Sequence, residues 1–182
     1  MQRYIAIIFS ILLLSCSAIQ QTTKVSIAKG VVLNLLPNEV GVKYYEQALL
    51  TVIQQNQQYN MLVNTQYSQG KLAIVAVSLQ GMPLFELTRD VVGNVNIKRY
   101  IPLDIDPAHM LADMQLIQLP ADKLSLQLSG GRLIENQNAI NKHRTIYFHQ
   151  QPVIEITYLE NVTEFHHLQR QYKMTIKKIK AD

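Results

Sequence analysis

Period-two alternation runs through this chain and limits what it can fold into. Tyr59, Met61, Val63, Thr65 and Tyr67 alternate with Asn60, Leu62, Asn64 and Gln66. Leu124, Leu126 and Leu128 alternate with Ser125 and Gln127, and Tyr172, Met174 and Ile176 with Lys173, Thr175 and Lys177. Successive side chains of a strand point to opposite faces of its sheet, so the pattern predicts strands with one buried face. Further strands are expected at Gln47–Gln54, Lys71–Leu79, Leu84–Arg89, Asn94–Ile101, Arg132–Asn136, Thr145–His149 and Val153–Leu159. Turn residues separate them: Gln69-Gly70, Gly81 to Pro83, Asp90 to Asn94, and Gly130-Gly131 as a tight hairpin. About ten strands at this spacing suit a sandwich or barrel, and so long a sheet curls or closes to protect its edges.

One segment departs from the alternation. Asp106-Pro107 reads as an N-cap followed by proline in the first turn, and Pro120 is a stop. Between them Met110, Leu111, Met114 and Ile117 share a face, with His109, Asp113, Gln115 and Gln118 around the rest. The expected fold is therefore mainly β, of α+β type, with an amphipathic helix buried across the concave side of a curved antiparallel sheet.

The front end reads as an address. The apolar run from Tyr4 to Leu14, preceded by Arg3, is too short to span a bilayer, which takes roughly 20 apolar residues. It fits the core of a secretory signal. Leu13-Leu14-Ser15-Cys16 resembles a bacterial lipobox, which implies a signal peptide over residues 1–15 and acylation of Cys16. A plain signal with an incidental cysteine, or an uncleaved anchor, is the competing reading. Two or more acyl chains hold a protein firmly at a membrane where one does not. Ser17, rather than aspartate, follows the cysteine, and in Gram-negative lipoproteins this favours the outer membrane. Residues 16–24 then form a lipidated tether, and residues 25–182 a single domain facing the periplasm.

Cys16 is the only cysteine, so the remainder can form no internal disulfide, thiolate nucleophile or cysteine zinc site. Without Arg3 the net charge falls from +4 to +3. The densest basic cluster is Lys177, Lys178 and Lys180, read as a solvated strand end. There is no tryptophan and no aromatic ladder among the basic residues, so nucleic acid is not an expected partner.

Catalytic signatures are missing. No phosphate loop, HExxH or GxSxG motif occurs. His109 and Asp113 share a helix face but have no third ligand in view, so no metal and no cofactor are expected. His166-His167 reads as part of a polar, loop-like stretch. Asp104 and Asp106 are explained by helix capping. The chain is read as a non-enzyme. Its apolar strand faces and the two helix methionines suit a cavity for varied apolar partners as well as they suit a solid core.

The helix also carries a resemblance. Leu111-Ala112-Asp113-Met114-Gln115-Leu116 followed by Leu119-Pro120 resembles the "ADxQL…WP" signature of a small family of bacterial lipoproteins found in aryl-polyene biosynthesis clusters, with Leu119 at the tryptophan position. Gly81 with Leu84-Phe85, Arg144, Ile156-Thr157-Tyr158 and Tyr172 to Ile176 follow in family-like order. That family in turn looks like the LolA/LolB lipoprotein carriers. The resemblance implies a half-open β-barrel with one or more helices on the concave face and a cavity for an acyl or polyene lipid. The expected lining is Met61, Leu79, Leu84, Met110, Met114, Ile117, Tyr147 and Tyr158. It also implies a membrane-insertion loop carrying Leu79 and Met82, with a periplasmic carrier as the delivering partner. The expected function is lipid placement in the outer membrane. The alternative is a non-catalytic lipoprotein that scaffolds a membrane complex.

Overall fold

The computed structural model describes residues 24–37, 43–102, 106–138 and 140–179. The expected signal peptide, Cys16, Asp104 and Lys180 lie outside these residues, and so does the expected tether apart from Lys24. Lys24 opens β1 (Lys24–Ala28), which pairs with β2 (Val31–Asn34). Two meanders follow. The first is β3 (Tyr44–Gln54), β4 (Gln57–Ser68), β5 (Lys71–Ser78), β6 (Pro83–Arg89) and β7 (Val95–Arg99). Then come α1 (Pro107–Gln118), α2 (Ala121–Ser125) and the short β8 (Leu128–Ser129), which joins β2 in a three-stranded sheet. The second meander is β9 (Arg132–Gln137), β10 (Lys142–Phe148), β11 (Gln151–Tyr158), β12 (Val162–His167) and β13 (Tyr172–Ile179).

The meanders make one ten-stranded antiparallel sheet, ordered β7-β6-β5-β4-β3-β13-β12-β11-β10-β9. β13 returns to the middle and pairs with β3 from Tyr172↔Gln54 to Ile179↔Gln47. The edges β7 and β9 do not meet, so the sheet is not closed into a barrel. It is nevertheless curled. α1 packs on β7, yet Arg144 of β10 and Tyr158 of β11 reach its last turn. Seven strands lie between β7 and β10 in the sheet order. Laid flat, that separation would be roughly 38 Å at the usual strand spacing. A helix is only about 10–12 Å across. Both contacts require the sheet to wrap around the helix.

The core fills that wrap. Leu72, Ile74 and Ala76 of β5 line up with Phe85 and Leu87 of β6, and Ile146, Ile154, Ile156 and Phe165 continue the face on the second meander. Val25, Ile27, Val31 and Leu33 of the small sheet and Leu111, Ala112 and Leu116 of α1 cover it. Full burial of each large aliphatic side chain contributes roughly 1.5–3 kcal/mol.

Five local expectations need correction. β1 and β2 lie where no strand was expected. The Leu124, Leu126, Leu128 alternation is not one strand: Leu124 is buried on α2, Leu126 is exposed in the turn after it, and Leu128 begins β8. Pro120 supplies the N-cap of α2, and helical geometry replaces the alternation. Gly130-Gly131 is not a hairpin, because β8 and β9 belong to different sheets. These glycines permit a close crossing: a Cβ on Gly130 would strike the Gly30 carbonyl oxygen, and one on Gly131 the Val31 side chain. His166-His167 is not a loop but the end of β12, with His167 buried. On α1 the buried residues are Leu111, Ala112, Asp113, Gln115 and Leu116, while Met110, Met114 and Ile117 are only half-buried. Asp113 and Gln115 go inward because each finds a hydrogen-bond partner on the elements it packs against.

Candidate functional site

The helix is held by polar groups along its length. Asp106 accepts from the Ala108 amide at 2.8 Å, a side-chain N-cap that satisfies one orphan donor. Gln115 makes a two-point contact with the Leu36 backbone: its Oε1 accepts from the amide at 3.0 Å and its Nε2 donates to the carbonyl at 2.9 Å. Arg89 donates to the same carbonyl at 2.8 Å. The last turn meets Arg144, which donates to the Leu116 carbonyl, and the Tyr158 hydroxyl, which donates to Ile117 O at 2.8 Å. A cation and a hydroxyl there answer the helix's unpaired carbonyls and its negative dipole end.

Arg144 is fully buried and requires compensation. Glu135 supplies it, accepting from Nε at 2.8 Å and lying 2.6 Å from Nη2. Lys142 lies 4.1 Å above the Tyr158 ring and extends the network.

At the other end, Arg170 Nη2 donates to Ser26 O at 2.8 Å and to His109 Nε2. His109 Nε2 also lies 3.2 Å from the Ser26 carbonyl, and its Nδ1 lies 2.7 Å from Asp106. His167 Nε2 lies 2.7 Å from the Ile27 carbonyl, which only accepts, so Nε2 bears the hydrogen. Its Nδ1 accepts from the Arg170 amide at 3.2 Å. Burial pushes His167 down to about 4, so the ring is neutral. The Tyr172 hydroxyl donates to Asp113. Burial lifts the Asp113 carboxyl to about 7, against the opposing pull of that hydrogen bond and of Arg170. These groups fasten α1 and β1 to the sheet. Among the described residues, no group of three or more His, Cys, Asp or Glu side chains is placed to hold a metal ion.

The inner face of the wrap also carries apolar side chains. Strand register puts Leu50, Val52, Val63, Met174 and Ile176 on the inner face of β3, β4 and β13. All are half-buried, as are Met110, Met114 and Ile117 on the helix. Two open surface cavities lie at opposite ends of β3 and β4. One of about 460 Å³ lies at the Tyr44–Tyr67 end of β3 and β4, and one of about 180 Å³ at Gln54, Gln55, Gln57 and Tyr59.

The residues expected to line a cavity are dispersed. Met61 and Leu84 are buried in the core. Met110, Met114, Ile117 and Tyr158 are each half-buried against the core, with the Tyr158 hydroxyl on the Ile117 carbonyl. Tyr147 pairs with Arg132, whose guanidinium lies 5.7 Å from its ring, and alternation sets it on the face opposite Ile146. Leu79 and Met82 lie in the turn joining β5 and β6, both largely exposed. That turn is tightly bonded: Gly81 N donates to Ser78 O at 2.9 Å, Ser78 N to Met82 O at 2.8 Å, and Met82 N to Ser78 Oγ at 3.2 Å. Gly81 has φ +84. Tyr100 and Ile101, also exposed, lie beside it, since Tyr100 N donates to Leu84 O at 2.9 Å.

Sequence reasoning paired Asp113 with His109 on the helix, as solvated or hydrogen-bonded groups, rather than with Tyr172, and gave Arg144 no role. The available signal was their place in the recognised motifs. The structure shows those motifs as the fastening of the helix: Asp113 to Tyr172, Gln115 to Leu36, and Arg144 and Tyr158 to the last turn.

Among the described residues, no helix is long and apolar enough to cross a membrane. No curated protein matches the chain. Residues 45–180, spanning both meanders and the helix between them, match the family described as "Protein of unknown function (DUF3261)", and the chain belongs to that family.

Proposed function

We propose that this protein is a LolB-like carrier, a half-open barrel anchored through Cys16 to the periplasmic face of the outer membrane. It binds an acyl or polyene lipid and aids its insertion into that membrane. One observation carries the reading. Apolar side chains of α1 and of β3, β4 and β13 are packed against the core yet stay half-buried. A chain of about a dozen methylenes leaving water gains on the order of 10 kcal/mol, so such a surface needs no catalytic group to hold it. The bonded turn with Leu79 and Met82 exposed supports the insertion role, since a fixed turn presents apolar side chains to a bilayer without ordering cost. A periplasmic carrier would deliver the cargo.

A scaffold lipoprotein is the second reading. The burial of Met61 and Leu84 favours it, as does the position of both open cavities away from the helix. Native mass spectrometry of a Cys16→Ser form exported to the periplasm separates the two. A co-purifying lipid adduct is expected. A bare mass, still bare after incubation with acyl lipids, would sink the carrier reading and leave the scaffold.

A further inference from the structure

Turns of an antiparallel meander alternate between the two ends of its sheet. The β3–β4 turn at Gln55-Asn56, the β5–β6 turn at Leu79 to Met82, the end of β7 and the start of β13 therefore share one end. There the segment after β7 lies against the β5–β6 connection, since Tyr100 N donates to Leu84 O at 2.9 Å. These two neighbouring segments carry Leu79, Met82, Tyr100 and Ile101, which are 38% to 63% exposed.

The charge around them is mostly positive. No charged residue occurs from Thr51 to Asn60 or from Ser78 to Phe85. Lys98 of β7 and Lys173 of β13 are exposed. Register sets both on the outer face: Lys98 pairs with Glu86 and Lys173 with Ile53, one step from the inward pairs Ile97–Leu87 and Met174–Val52. Among the described residues, Glu86 is the one carboxylate carried by these strand ends, and it is engaged by the Tyr100 hydroxyl, which donates to it at 2.6 Å. Lys98 Nζ lies 4.6 Å above the Tyr100 ring. An aromatic body with a bonded polar tip and a lysine alongside suits a membrane–water interface. The opposite end is less continuous. Val91 and Val92 are exposed in the β6–β7 turn, but the polar turn from Ser68 to Lys71 separates them from the exposed Tyr45.

We propose that this end of the sheet docks on an anionic phospholipid bilayer, with Tyr100 and Ile101 entering beside Leu79 and Met82, and Lys98 and Lys173 facing the negative surface. The proposal rests on the insertion role of the Leu79–Met82 turn and adds a second inserting segment and the charge of the membrane.

The test is flotation of the Cys16→Ser protein with vesicles of phosphatidylethanolamine and phosphatidylglycerol, against vesicles of phosphatidylethanolamine and phosphatidylcholine. Partition onto the anionic vesicles is expected to be about tenfold the stronger, and Lys98→Gln with Lys173→Gln should remove most of that preference. Ile101→Ser should weaken anionic binding about fivefold with Leu79 and Met82 intact. Val91→Ser with Val92→Ser should change it less than about twofold. All these positions are exposed, and circular dichroism checks the fold. Equal binding to the two vesicle types, or none to either, would overturn the proposal; a lipid adduct in native mass spectrometry would then leave the carrier reading standing. Anionic binding beside a bare mass would keep the contact and sink the carrier. Parent-like binding by Ile101→Ser would overturn the second segment and return insertion to the Leu79–Met82 turn alone. A loss in the Val91, Val92 variant as large as that in Ile101→Ser would overturn the choice of end. A dimer seen by sedimentation without vesicles and abolished by Ile101→Ser would overturn the bilayer in favour of a second copy.

Discussion

Asp113 makes a sharp prediction about pH. Its carboxyl is buried against Tyr172, and burial raises it from 3.8 to about 7. The folded protein therefore keeps a proton that the unfolded chain releases above pH 4. Stability from this group is fully present below about pH 4, falls as pH rises towards 7, and is level beyond it. Three units at 1.36 kcal/mol each amount to about 4 kcal/mol. Asp113→Asn cannot ionise, yet its amide oxygen can still accept from Tyr172. The stability difference, variant minus parent, should thus move in the variant's favour by about 4 kcal/mol between pH 4 and pH 8. Urea unfolding followed by far-ultraviolet circular dichroism at both pH values measures it. Other titrating groups act on both proteins and largely cancel in the difference. A difference that stays constant across that range would refute the buried, protonated carboxyl.

Three further outcomes are expected. His167 has the opposite sign: its neutral, buried ring is stabilising above pH 6.5, and about 3 kcal/mol should be lost as pH falls towards 4. His167→Gln should flatten that limb of a stability profile. Arg144→Met strands Glu135 and the end of α1, and should cost about 3 kcal/mol or more in chemical unfolding; adding Glu135→Met should recover part of it. Leu79→Asp with Met82→Asp should leave stability within about 0.5 kcal/mol, because neither side chain is packed, while lowering lipid transfer to vesicles in a fluorescence assay.

The strands were legible because alternation reports a one-sided sheet directly. Tyr172, Met174 and Ile176 show it: their register against β3 gives the inner face that the spacing implied. Leu124 to Leu128 show its limit, since the same spacing fits a short helix and a turn. β1 and β2 were not legible. They are short, and they bury Val25, Ile27, Val31 and Leu33 by covering the sheet rather than joining it. At the site, hydropathy placed Met110 and Met114 inward and Asp113 and Gln115 outward. It cannot anticipate that Tyr172 and the Leu36 backbone, distant in sequence, satisfy those polar groups and let them be buried. Met82 was visible as a turn residue, because Gly81-Met82-Pro83 limits the backbone there, whereas alternation carried Leu79 into the strand that ends at Ser78.

The return of β13 to the middle of the sheet governs how the chain can acquire its structure. Tyr172 must find Gln54, and no shorter-range contact joins β3 to the second meander within the sheet. Contacts of such long sequence separation carry a large loop-closure cost and slow folding. Until β13 arrives, β3 and β12 each present an unpaired edge in the centre of an unfinished sheet, open to pairing with other chains. A chain interrupted before Tyr172 would hold two separate meanders and no common wrap around α1. Synthesis of nearly the whole domain must therefore precede its assembly, and aggregation during that interval, rather than instability of the finished fold, is the hazard the topology creates.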